Sequence, residues 1–159
     1  MLIPQDHEIR MSELLIFMAS SSDEVEVPVA AVVFDGELNK VAESTNQREM
    51  SIDPTAHAEI VALRNAATSL GRWNLTGCTM YVTLEPCLMC AGAILESKIS
   101  RLVFGAFDIK KSFNLSGNEI IRESGQKIEV IGGVLEEECR LVMSNWFEHH
   151  RQKRVIFNI

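Results

Sequence analysis

The stretch TLEPCLMC, Thr83–Cys90, places one proline between two different local structures. Upstream, TMYVTL (Thr79–Leu84) is β-branched and aromatic and reads as a strand. Pro86 lacks the N–H that a ladder needs, so the strand ends there. Downstream, Cys87–Ser97 reads as a helix. A strand that runs straight into a helix belongs to a layered α/β architecture. Cys87 and Cys90 are three apart, so both sulfurs fall on one side of the first helical turn.

The neighbouring segments extend this pattern. Val27–Phe34 is rich in valine and alanine and ends at the turn pair Asp35-Gly36, and Val41–Thr45 is the expected partner strand. Asp53-Pro54 predicts an N-cap with proline in the first turn, followed by a helix to about Leu70 and a stop at Gly71. Arg101–Gly105 and Lys127–Ile131 are further strands. Leu14–Ala19 belongs to a buried first helix. Leu135–Arg151 is a final helix with Leu135, Cys139, Val142, Met143, Trp146 and Phe147 on one face. Asn114–Gln126 shows neither period. The expectation is a single α/β domain over residues 1–159, opening with a hairpin.

Composition narrows the function. The chain has 159 residues, 47% of them hydrophobic, enough for one core. No stretch approaches the ~20 apolar residues that cross a bilayer, so no membrane role is expected. The formal charge of −7 argues against an extended nucleic-acid surface, although Lys98, Arg101, Lys110, Lys111, Arg151, Lys153 and Arg154 form a local basic set. Four cysteines, two of them in C-x-x-C and with no basic export segment ahead of Leu14–Ala19, point to metal or redox chemistry in a cytoplasmic protein.

In PTAHAEIVAL, Pro54–Leu63, an alanine-rich helix start carries His57 and Glu59. One imidazole and the sulfurs of Cys87 and Cys90 make a three-ligand Zn2+ set, which leaves the fourth tetrahedral position for water. Glu59 is then the acceptor of that water's proton, wrapped over the helix terminus beside His57. Both helix N-termini would point partial positive charge at the site. Cys78 or Cys139 could instead supply a fourth ligand and make a non-catalytic zinc-binding partner subunit, but both fit better as core residues. His7, His149 and His150 read as surface or helix-end residues, and Trp73 and Trp146 as core or interface anchors.

H-x-E followed at a distance by P-C-x-x-C is the signature of zinc base deaminases. The chain resembles the cytidine deaminase-like zinc enzymes and, within them, the bacterial tRNA-specific adenosine deaminases. VPVAAVV (Val27–Val33), Asn46, DPTAHAEIVALR (Asp53–Arg64), YVTLEPCLMCAGAIL (Tyr81–Leu95) and RLVFGAFDIK (Arg101–Lys110) carry the resemblance. It implies a three-layer α/β/α cytidine deaminase-like fold with a central mixed five-stranded sheet. It also implies a homodimer with active sites near the interface, and adenosine-to-inosine conversion in the tRNA anticodon loop. His57, Cys87 and Cys90 would hold zinc and Glu59 would shuttle protons. Asn46 would hydrogen-bond the nucleoside, and the Ala58 backbone amide would contact the base. The acidic charge keeps a second substrate class in view, free guanine, cytosine or their nucleosides. Phe113 is the stacking candidate for RNA.

Overall fold

Alternation along the strands builds two cores. In the computed structural model, which describes residues 4–21, 24–108 and 117–156, five strands form one sheet in the order β2-β1-β3-β4-β5. They are β1 (Ala30–Phe34), β2 (Lys40–Thr45), β3 (Thr79–Leu84), β4 (Arg101–Ala106) and β5 (Glu129–Ile131). Ala31, Val33, Met80, Val82, Leu102 and Phe104 bury into one cluster. Their neighbours Ala30, Val32, Phe34, Tyr81 and Val103 bury into the other. A sheet covered on both faces needs this continuous apolar run.

Helices α3 (Ala58–Leu70), α4 (Leu88–Glu96) and α5 (Gly117–Glu123) close the first face through Ala62, Leu63, Ile94, Leu95 and Ile121. Helices α1 (Pro4–Ser21) and α6 (Glu136–Ile156) close the second through Met11, Leu14, Met18 and Cys139. The result is the expected three-layer α/β/α arrangement. The sheet is mixed: β1 is antiparallel to β2 and β3, whereas β3, β4 and β5 run parallel. The carboxyl end of β3 therefore meets the amino end of β1, where Ala30 N donates to Thr83 Oγ1 at 3.2 Å.

Two expectations need correction, and the core reading of Trp73 falls away. Helix α3 starts at Ala58, not at Pro54, with His57 as its N-cap. Asp53 is used one turn earlier: its Oδ1 accepts Thr55 N at 2.8 Å and Thr55 Oγ1 at 2.7 Å, which folds Asp53–Ala56 into a turn. The stop at Gly71 stands, because Gly71 takes φ 62° as the C-cap. His7 is buried, since the inward stripe of α1 runs His7, Met11, Leu14, Met18, and its Nδ1 lies 2.8 Å from the hydroxyl of fully buried Tyr81. Trp73 is 69% exposed and belongs to no core. A short helix, α2 (Arg48–Ser51), lies in a stretch where no element was expected.

Burial, then the charge of Arg101, holds His7 below its usual 6.5. The unfolded chain thus binds a proton that the folded one refuses, and stability falls as pH drops below about 6.5. His7→Gln keeps an acceptor for Tyr81 and should flatten that slope between about pH 7 and pH 5 in urea unfolding.

Candidate active site

Two helices begin at one place. His57 and Cys87 are the N-caps of α3 and α4, both with extended backbones, and neither side chain caps its own helix. Freed from that task, both side chains turn toward each other. His57 Nδ1 lies 3.6 Å from Cys87 Sγ and 3.5 Å from Cys90 Sγ, and the three atoms fit within 4.8 Å. Metal bonds of ~2.3 Å to sulfur and ~2.0 Å to nitrogen at a tetrahedral angle put S and N about 3.5 Å apart. Both N···S distances match that value, and the donor set fits zinc. Among the described residues no other His, Cys, Asp or Glu joins this group, so one coordination position stays open. Cys78 and Cys139 are buried in the two separate cores, which removes the four-ligand alternative.

The electrostatics suit a cation. Hydrogen bonding to Cys90 first, and to His57, holds the Cys87 thiol at about 4. The bond to Cys87 together with burial pushes Cys90 upward, so the pair shares one proton that a dication would displace. The N–H groups opening α3 and α4, which neither N-cap side chain takes up, add positive potential on the same side. Glu59 follows in the first turn of α3, 4% exposed, its carboxyl held above the usual range by burial. Ala58, the first residue of α3, is fully buried, with an N–H that faces no intrahelical carbonyl.

A cavity of about 180 Å³ opens over these groups. Val27, Val29 and Leu84 make its apolar walls, and Asn46, His57, Glu59 and Cys87 its polar floor. Arg48, Glu85 and Asp108 complete the lining. Glu85 ties the far side together: its N donates to Ala106 O at 2.8 Å, and its Oε2 accepts Asp108 N at 3.1 Å. Behind the ligand loop, Gly117 packs so tightly that a Cβ there would overlap the carbonyl oxygen of Pro86. The site thus gathers Asn46, His57, Glu59 and Cys87 around one cavity, with Cys90 beside it. Phe113, Lys110 and Lys111, and the side chains of Lys153 and Arg154, lie outside the described residues.

Sequence reasoning missed Arg48 and Glu26. Arg48 sits on α2, a single turn without a hydrophobic period. Glu26 lies in what reads as the most polar loop of the chain, yet it is 1% exposed. No local sequence signal distinguishes it from the acidic residues around it.

An α/β/α layer with a three-donor zinc site and a carboxylate in the adjoining helical turn defines a zinc-dependent hydrolytic enzyme. The chain belongs to the cytidine and deoxycytidylate deaminase family, whose zinc-binding region matches residues 4–106. It is 46% identical over 133 residues to the tRNA-specific adenosine deaminase of Haemophilus influenzae, spanning 82% of this chain and 77% of that one. It is 40% identical over 150 residues to the tRNA-specific adenosine deaminase of Bacillus subtilis, spanning 92% of each. A solved structure from a study of A-to-I editing by tRNA:A34 deaminases matches with a TM-score of 0.75 at 36% identity, covering 83% of this chain and 96% of that chain. A guanine deaminase from Nitrosomonas europaea matches with a TM-score of 0.77 at 26% identity, covering 87% and 83%.

Cys87→Ala and Cys90→Ala should each drop bound zinc from about one per chain to near none, while Cys78→Ala leaves it unchanged, read by atomic absorption on purified protein.

Proposed function

We propose that this enzyme hydrolyses adenosine to inosine at the wobble position of tRNA, with His57, Cys87 and Cys90 holding zinc and the whole chain acting as one catalytic unit. The carrying observation is the buried carboxylate of Glu59 on the same cavity as the imidazole–thiol triad. The identity to two tRNA-specific adenosine deaminases along most of their lengths supports the substrate.

Bound zinc supplies an activated water by lowering its pKa toward ~7. Glu59 takes the proton as the water oxygen attacks the base carbon that bears the exocyclic amine. It passes that proton to the ring nitrogen, then carries the remaining proton of the added hydroxyl to the amine, which leaves as ammonia as the carbonyl forms. Burial raises the proton affinity of Glu59, which suits it to hold a proton between those transfers. The Ala58 N–H, at the start of α3, would donate to the base, and Asn46, which lines the cavity, would hydrogen-bond the nucleoside. Val27, Val29 and Leu84 hold the ring faces and exclude bulk water. A cavity this small admits a base only after it has left its stack, so an anticodon loop is a cheaper source than a duplex. Arg48 is exposed at the cavity mouth with no ion pair among the described residues, where a backbone phosphate would sit.

The homodimer belongs to the same proposal. Trp73 and Met89 stand exposed along an apolar groove of about 430 Å³ between α3 and α4, lined by Ile60, Leu63 and Ala93. Met50 and Ile52 expose further apolar surface on the loop that leads from Asn46 to His57. A second copy covering this face would bring its own surface beside the cavity. A cytoplasmic location follows from a tRNA substrate, and no helix among the described residues is long and apolar enough to cross a membrane.

Incubation with an anticodon stem-loop bearing a wobble adenosine should form inosine in the RNA and release ammonia, whereas guanine, cytosine and free adenosine should not turn over; deamination of the free bases alone would reject the reading. Glu59→Ala should keep its zinc and lose about 10²–10⁴ in kcat. RNA affinity should fall as salt rises, and Arg48→Ala should reduce that slope by roughly one counterion. Trp73→Glu should convert dimer to monomer in light scattering.

A further inference from the structure

Glu26 lies ahead of β1, is 1% exposed, and is not a wall of the cavity. Its Oε1 accepts the backbone N–H groups of Glu49 at 2.7 Å and Met50 at 3.0 Å, which satisfies the free N-terminal amides of α2. Its Oε2 accepts Asn46 Nδ2 at 2.9 Å. Asn46 itself is buried and does line the cavity. A side-chain amide has a donor end and an acceptor end. A carboxylate receiving backbone N–H groups can take only the donor end, so chemistry assigns which end of Asn46 faces Glu26.

We propose that Glu26 is a positioning residue: it fixes the Asn46 amide with Oδ1 turned to the cavity, so that Asn46 reads a hydroxyl or N–H donor on the bound nucleoside. This deepens the deaminase reading and rests on it. The same carboxylate holds α2 in place and with it Arg48, so one buried group sets both the base-side acceptor and the cation at the cavity mouth. A substrate group that can only accept a hydrogen bond would be rejected at this position, because a buried acceptor facing another acceptor is left unpaired.

The two oxygens of Glu26 have separate partners, which makes an exchange test possible. In Glu26→Gln, Oε1 keeps the two backbone donors, and the new amide nitrogen meets Asn46 Nδ2. Donor against donor forces Asn46 to flip and present N–H to the cavity. In Asn46→Asp, two carboxylates face each other at the position of the 2.9 Å bond. Combined, the variants restore one donor and one acceptor, with an oxygen again facing the cavity.

Each single variant should lose about 10- to 100-fold in kcat/KM on the anticodon stem-loop. The double variant should recover to within about tenfold of wild type, with zinc content unchanged throughout. A purely structural Glu26 predicts the opposite, with the two losses multiplying in the double variant; that result, or a fully active Glu26→Gln, overturns the proposal. A second readout needs no turnover. The Asn46 side-chain amide protons should be protected from solvent exchange in ¹⁵N spectra of the wild type and exposed in Glu26→Gln. Equal protection in both also overturns the proposal. Wild-type protein that leaves the stem-loop untouched would reject the substrate reading, while the amide protection would still decide the role of Glu26.

Discussion

Everything in the site depends on two helices starting at one point with their capping positions given over to ligands. An ordinary N-cap side chain bends back to its own helix and satisfies a free amide. His57 and Cys87 occupy that position with extended backbones and point outward instead. The free amides and the donor atoms then face the same small volume. Cys90, one turn into α4, adds the second sulfur without any further loop. The sheet fixes where this happens. Because β1 runs antiparallel to β3, its amino end with Val27 and Val29 walls the cavity that opens beyond the carboxyl end of β3.

Charge is distributed in shells around that point. His57 and the thiol pair surround the cation position directly, with Glu59 in the adjoining turn of α3. Glu26 and Glu85 stand further out, each spent on backbone N–H groups that shape a loop. Both oxygens of Glu26 already have partners, and Glu85 gives its Oε2 to Asp108 N. The overall acidity of the chain and the exposed Arg48 at the cavity mouth are thus compatible. Net charge describes the whole surface, while binding responds to the charge within about a Debye length of the opening.

What could be read from sequence follows from how local each signal is. The thiol spacing, the strand before Pro86 and the glycine stop after Leu70 are each decided within a few residues, and all three stand. The start of α3 is ambiguous in sequence because Asp53-Pro54 is an equally good turn, and only the tertiary demand on His57 decides between them. His7 reads as a surface residue in sequence because its partner, Tyr81, is 74 positions away. Glu26 was hidden for the same reason: Asn46, Glu49 and Met50 reach it only after the chain has made the β1–β2 hairpin. Of the two sequence readings of Trp73, core or interface anchor, its exposure removes the core one.

The contact between Gly117 and the carbonyl of Pro86 has a consequence for anyone wishing to redesign this pocket. One methyl group added at 117 would push on the loop that carries both sulfurs, from the side that never meets substrate. Gly92, on the same helix as Cys90, has nothing within 4 Å of where such a methyl would go. Libraries aimed at new bases should therefore randomise the front walls, Val27, Val29 and Leu84, and leave the rear untouched, where the width of a hydrogen atom sets the tolerance.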